Sequence, residues 1–376
     1  MLKRLLIVLV CTSLLATMIP TQVMAKPQVS ARNAILIEQS TGRVLYEKAA
    51  NDKHLIASIT KIMTAILAVE SGKLDDTVTV SRNAAYTEGS SIYLKEGDKM
   101  KLRDLVYGLM LRSGNDAAVA IAEYVGGSVG GFTYLMNDKA AWLGMNNSQF
   151  DNPHGLDSKT HYSTAYDMAL LMRYAMKNDI FKEITGSTSY KAENRKYAWG
   201  NKNKLLTRYY DYSTGGKTGY TRAAGRTLVS TAEKDGMELI VVTLDAPDDW
   251  KDHMRLFEWG FDNYEMTKVQ NKGMETFKIK GTDETESGFF NKDIVVPLTK
   301  DERDQLQIQT YFKKEQNNQT VNDVIGKKVF KLDNELVAEA SIYRESEQEN
   351  EEKNQTFVSD MLQIFQQLVG VGNPNG

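Results

Sequence analysis

Three short sets of residues could carry nucleophilic chemistry. Ser58-Ile59-Thr60-Lys61 heads the stretch "ASITKIMTAILAVE", Ser113-Gly114-Asn115 follows "LRDLVYGLML", and Lys217-Thr218-Gly219 lies in "STGGKTGY". A serine becomes a nucleophile only when a neighbour takes its proton, and on a helix residues i and i+3 share a face, so the Lys61 amine can reach the Ser58 hydroxyl. Lysine acts as a base only when neutral. Lowering its pKa from ~10.4 to ~7 amounts to ~4.6 kcal/mol at about 1.36 kcal/mol per unit. Burial against Ile62, Ala65 and Ile66 works in that direction, as does the like charge of Lys217 if it is near. That second lysine would also pair with an anionic group on a substrate, and the free N–H groups of the helix start favour negative charge at the serine.

Taken singly these sets are weak. Residue frequencies predict about one S-x-x-K and one S-x-N by chance in such a chain, and about 0.1 K-T-G. Order, spacing and context together make them specific. A second S-x-N, Ser81-Arg82-Asn83, reads as a helix cap. "GGSVG" (126–130) has G-x-S-x-G spacing but follows a helical run where a nucleophile elbow needs a strand, so it reads as a helix stop. "GGKTGY" lacks the first glycine of a phosphate-binding loop, with Asp211 in its place, and is followed by a strand pattern. The four histidines, His54, His154, His161 and His253, show no metal-ligand spacing and default to structural roles. His154 in "NPHGLD" sits in a turn from which a side chain could point into a cleft.

These residues need elements to position them. "NAILIEQSTGRVLYEK" (33–48) is a hairpin pattern, residues 57 to about 185 carry apolar residues at three- and four-residue spacing, and "RTLVSTAEKDGMELIVVTLDA" returns to strands. "DDWKDHMRLFEWGFDNY" adds a last helix near residue 264. Strands at both ends with helices between predict one α+β domain whose sheet pairs the opening hairpin with the returning strands. From 265 to 345 the texture becomes short β runs, which predicts a separate small β-sandwich. "ESEQENEEKNQ" is an acidic linker, and "FVSDMLQIFQQLVG" (357–370) places Phe357, Met361, Ile364, Phe365 and Leu368 on one helical face. That helix would reach about 21 Å, too short to cross a bilayer but able to lie in its interface.

The chain has 376 residues, 41% hydrophobic and 25% charged, enough for two to three domains. Residues 1–25 combine Lys3 and Arg4, an apolar run, and Val23 and Ala25 before a cut, the pattern of a secretory signal peptide. Its removal takes the formal charge from -3 to -5 and removes Cys11, leaving no thiol chemistry and no basic block for nucleic acid.

With these motifs in place, the sequence resembles the low-molecular-mass penicillin-binding proteins that act as serine D-alanyl-D-alanine carboxypeptidases. The flanking stretches "GSSIYLKEGDKMKLRDLVYGLMLRSGNDAAVAIAEYVGGS", "NPHGLDSKTHYSTAYDMA" and "GGKTGYTRAAGRTLVSTA" are similar to that family's segments, and the likeness runs from about 30 to 264. It implies a β-lactamase/transpeptidase-like catalytic domain (26–264), an antiparallel sheet with a helical subdomain, then the β-rich domain (265–345) and the linker with its membrane-associating helix (346–376). It implies that Ser58 attacks the penultimate D-Ala carbonyl of a peptidoglycan stem peptide, with Lys61 as base. Ser113 would relay the proton, and Asn115 would hold the substrate amide and Lys61. Lys217 and Thr218 would bind the terminal carboxylate, Tyr220 following Gly219 would share the oxyanion with the Ser58 N–H, and Lys204 stands where some relatives have Arg. His154 completes the expected set. No cofactor or metal is implied; β-lactams should acylate the enzyme, which would be exported and held peripherally at the outer face of the cytoplasmic membrane. A β-lactamase should add an E-x-x-L-N carboxylate between Asn115 and Lys217, and none is present. The same three motifs would also suit a D,D-endopeptidase, or a non-hydrolytic receptor for β-lactams or muropeptides.

Overall fold

Strand β1 (Asn33–Glu38) is buried at all six positions, because its sheet is covered on both faces. Ile35 and Ile37 enter one apolar cluster and Ala34 and Leu36 the other, the period-two alternation of a strand sandwiched between layers. The computed structural model describes residues 26–278, 285–313 and 324–344. The expected leader (1–25) and the acidic linker and amphipathic segment beyond 344 lie outside the described residues.

Strands β2 (Val44–Lys48), β3 (Ser213–Thr221), β4 (Gly225–Lys234) and β5 (Met237–Leu244) complete the sheet. All neighbours are antiparallel in the order β2-β1-β5-β4-β3. The opening hairpin thus pairs with the returning strands, Asn33 opposite Leu244, as the sequence pattern predicts. Strand β3, which carries Lys217-Thr218-Gly219, is an edge. These residues lie inside the strand, not ahead of it as the sequence pattern suggests.

Between the two groups of strands run α1 (Lys61–Glu70), α2 (Leu102–Arg112), α3 (Asn115–Gly126), α4 (Val129–Trp142), α5 (Ala165–Ala175) and α6 (Asp179–Gly186). They share one cluster with the Ile240, Val242 and Leu244 face of β5. Helix α7 (Asp249–Asn263) sets Leu256 and Phe257 against the opposite face, on Leu36, Leu228 and Val241. Helix α1 is central and buried on nearly every side, which explains a sequence apolar all round. Gly127 ends α3 with φ 72° and Ser128 caps α4 through the Gly131 N–H, so "GGSVG" is a helix stop and a helix start. Ser81 caps the single turn Arg82–Ala85 as expected.

Past Tyr264, β6 (Glu265–Gln270) pairs with β9 (Ile294–Leu298), while β7 (Gly273–Lys278), β8 (Thr285–Phe290), β10 (Gln307–Phe312), β11 (Val324–Leu332) and β12 (Glu335–Tyr343) form a sheet in the order β7-β8-β12-β11-β10. Phe290, Val296, Leu298, Phe330 and Ile342 join both sheets in one apolar cluster. Strand β8, "TESGFF", is not apparent from the sequence, since Gly288 and its polar start break the alternation. This part meets the first through Arg43, whose guanidinium pairs with Glu302 at 2.5 Å and lies 5.7 Å from the centre of the Tyr264 ring.

Candidate active site

Ser58 lies in a single 3-10 turn, Ala57–Thr60, and the α-helix starts only at Lys61, later than the periodicity implies. Ala57 ahead of it has φ 49°, a left-handed conformation that costs a non-glycine residue on the order of 1 kcal/mol and must be held by its surroundings. Thr60 Oγ1 donates to Ala57 O at 2.8 Å, and His161 Nε2 lies 2.8 Å from the same hydroxyl. The Asp151 N–H donates to His161 Nδ1 at 3.1 Å, which leaves the ring proton on Nε2. Gly155, φ 87°, closes from the other side: a Cβ there would stand 1.9 Å from Ala57 O, so no other residue fits. Thr227 Oγ1 on β4 donates to Ile56 O at 2.9 Å and ties the turn to the sheet.

This scaffold places Lys61 Nζ, fully buried, 2.9 Å from Ser58 Oγ, 2.8 Å from Asn115 Oδ1 and 2.6 Å from the His154 carbonyl. Burial drives the Lys61 pKa well below the usual lysine value, and the charges of Lys217 and Lys202 push it further; Asp116 opposes them. In the neutral amine the lone pair faces Ser58, while two N–H groups remain for Asn115 and His154. The geometry therefore suits proton abstraction from Ser58 Oγ.

Ser113 ends α2 with φ 64°, and Asn115 opens α3, so the Ser-Gly-Asn set spans the break between two helices. The left-handed turn brings Ser113 Oγ to 3.1 Å from Lys217 Nζ, which also donates to Thr218 O at 2.7 Å. Burial lowers the Lys217 pKa to about 7, with Lys202 the next cause. Ser113 accepts from Lys217, so its own hydroxyl proton is free for another partner. Gly219 lies over the nucleophile's turn: a Cβ there would be 2.8 Å from the Ser58 nitrogen and 2.4 Å from Thr227 Oγ1. Thr218 beside it is half-buried, whereas the Tyr220 ring is exposed.

Two expected residues stand apart from the side chains of this cluster. His154 contributes its main-chain carbonyl, not its ring; the ring accepts from the Leu156 N–H at 3.2 Å, and burial with the Lys61 and His161 charges lowers its pKa to about 3, so it stays neutral. Lys204 is exposed, with no hydrogen bond or ion pair among the described residues. The cation coupled to both buried lysines is Lys202, two residues earlier. Nothing in "NKNKLL" separates the two; their directions at the end of α2 do, since the Lys202 N–H bonds Leu111 O. Glu88 and Ser90 belong to no motif, because they act through carbonyls: Glu88 O accepts from Asn115 Nδ2 at 2.7 Å and Ser90 O from the Asn115 N–H at 2.6 Å.

An open cavity of about 920 Å³ lies beside this cluster, lined by Arg82, Asn83, Tyr86, Thr87, Val119 and Val129, and His154 joins the two. The chemistry belongs to the cluster, because the cavity holds none of its lysines or serines. Among the described residues no group of three or more His, Cys, Asp or Glu could hold a metal ion.

The D-alanyl-D-alanine carboxypeptidase family (Peptidase_S11) matches residues 20–248. The chain is similar to D-alanyl-D-alanine carboxypeptidase DacF of Bacillus subtilis (strain 168), 34% identical over 328 residues that span 83% of this chain and 84% of the relative. Among solved structures it is similar to penicillin binding protein 5 from Haemophilus influenzae, with a TM-score of 0.74 and 28% identity, covering 85% of this chain and 97% of that one. It is also similar to a D-alanyl-D-alanine carboxypeptidase from Mycobacterium tuberculosis H37Rv, TM-score 0.61 and 33% identity, over 65% of this chain and 95% of that one.

Proposed function

The chain belongs to the D-alanyl-D-alanine carboxypeptidase family, and from that premise we propose how its residues divide the work. It is a serine hydrolase that removes the terminal D-Ala of peptidoglycan stem pentapeptides through an acyl-enzyme. Ser58 Oγ attacks the carbonyl carbon of the penultimate D-Ala as Lys61 Nζ takes its proton. The oxyanion sits between the N–H groups of Ser58 and Tyr220, the latter on the edge strand just past Gly219. Asn115 holds Lys61 and the substrate amide. Ser113 passes its hydroxyl proton to the departing amine and recovers one from the lysine side, so the C–N bond breaks and free D-alanine leaves. Lys217 and Thr218 bind the terminal carboxylate, with Lys202 as the outer cation in place of Lys204. Water then hydrolyses the ester, and β-lactams acylate the same serine.

The observation that carries these roles is the buried Lys61 amine at hydrogen-bond distance from both Ser58 and Asn115. Incubating purified protein with diacetyl-L-Lys-D-Ala-D-Ala should release many equivalents of D-alanine. Release that stops at one equivalent would instead mark a receptor that stays acylated. Ser58→Ala should abolish labelling by fluorescent penicillin.

The finer organisation is part of the same proposal. Residues 26–264 form the catalytic domain, and 265–345 form a small β-sandwich, supported by the apolar cluster shared between its two sheets. Residues 357–370 form an amphipathic helix that holds an exported enzyme at the outer face of the cytoplasmic membrane, supported by their sequence pattern.

A further inference from the structure

Asp116, next to Asn115, is fully buried; apart from its charge, which raises the Lys61 pKa, it touches neither the reacting groups nor the substrate side of the site. Its carboxylate accepts from four neutral donors: Ala117 N–H at 2.9 Å, Ser91 Oγ at 2.6 Å, Ile92 N–H at 3.1 Å and Leu94 N–H at 3.1 Å. Three of these belong to the segment after Ser90, which comes from another part of the chain. The carboxylate therefore pins that segment to the start of α3. Just ahead of the pinned residues, Glu88 O accepts from the Asn115 side-chain amide and Ser90 O from its main-chain N–H. Gly89, φ 91°, presses on the same amide, where a Cβ would lie 2.6 Å from Nδ2.

The polarity of that amide matters. Lys61 Nζ needs an acceptor, and only the Oδ1 end of Asn115 supplies one; a flipped amide would set N–H groups against N–H groups. Glu88 O decides the question, because it accepts only from the Nδ2 end. We propose that Asp116 is a positioning residue of the reaction: through the 91–94 segment it holds the Glu88 and Ser90 carbonyls that keep Asn115 Oδ1 turned toward Lys61. A carboxylate suits the task because it is all acceptor, whereas an asparagine would turn an N–H toward at least one of the donors. This inference rests on the assignment of Lys61 as base and Asn115 as its partner.

The test measures acylation of the purified protein by fluorescent penicillin for Asp116→Asn and Ser91→Ala, each alone and combined with Asn115→Ala. Alone, Asp116→Asn should slow acylation about tenfold or more and Ser91→Ala about threefold, and both effects should vanish within about twofold when Asn115 is already alanine. A purely stabilising carboxylate would slow both backgrounds by the same factor, and that multiplicative result overturns the proposal. If Asp116→Asn does not fold, Ser91→Ala decides alone: unchanged acylation, or equal slowing in both backgrounds, overturns it. Failure of the underlying assignment is separable, since it would appear as Ser58→Ala or Lys61→Met proteins that still acylate at the wild-type rate.

Discussion

Lys61 and Lys217 are both buried and both depressed, and the proposed roles need them in opposite states, one neutral and one charged. As pH rises through the low Lys61 value the base is freed, so kcat/KM climbs; above about 7, where Lys217 loses its proton, carboxylate binding and kcat/KM fall. A bound carboxylate favours charged Lys217, so the alkaline limb of kcat should lie above that of kcat/KM. Lys202→Gln removes a cation that depresses both groups, and both limbs should move to slightly higher pH, the effect kept small because Lys202 is solvent-exposed and screened. Limbs that stay in place in a pH–rate profile would contradict the coupling. The same burial costs stability. The folded Lys217 pKa of about 7 lies below the unfolded value of 10.5, so the unfolded chain binds the extra proton between those limits and stability rises with pH across that window. Lys217→Met should therefore be inactive yet more stable near pH 6.5, on the order of a few kcal/mol by linkage, with the gain shrinking toward pH 10 in urea titrations.

At the level of elements, the site is a meeting of one turn, one helix break and one edge strand. The absence of a side chain at Gly219 lets β3 lie on the turn of Ser58. Gly219→Ala should push Ser58 N out of line and slow penicillin acylation by about tenfold or more while the thermal midpoint moves little, because the edge strand can shift outward. Acylation at the wild-type rate would show that the N–H pair is not shaped by this contact. The types and spacing of Ser58 and Lys61 were legible in the sequence, because residues three apart on a helical turn share a face, whereas Ser113, Asn115 and Lys217 were legible only as short motifs in a particular order. The left-handed Ala57 was not, since Thr60 holds that φ only with the help of His161 and Gly155, which lie about a hundred residues along the chain. The roles of Glu88, Ser90 and His154 were hidden for another reason: a carbonyl is present in every residue, so no residue type announces it. Asp116 could have been noticed, as the lone acid in the first turn of α3, ahead of the apolar run Ala117–Ala122.

On the scale of the whole molecule, the helical and sheet parts were readable from hydrophobic period, and strands β6 and β8 were not, because "EMTKVQ" and "TESGFF" break the apolar–polar alternation. The β-rich part touches the first through Arg43, Glu302 and Tyr264. Arg43→Ala should leave peptide turnover within about twofold, since the pair is remote from Ser58, and speed limited proteolysis near residue 264. Deleting 356–376 should move the protein from the membrane fraction to the soluble one; an unchanged distribution would mean that this segment docks elsewhere.

Strand order also governs timing. β1 lies between β2 and β5, so the second strand it pairs with leaves the ribosome only after almost every other residue of the catalytic part. Until Leu244 is available the sheet cannot close, Ser30 and Ala31 cannot find the Asp252 carboxylate on α7, and half the faces of β1 stay wet. Such long-range pairing makes closure of the sheet slow. A chain with this topology stays threadable for as long as its C-terminal strands are withheld, which is what passage through a narrow channel requires.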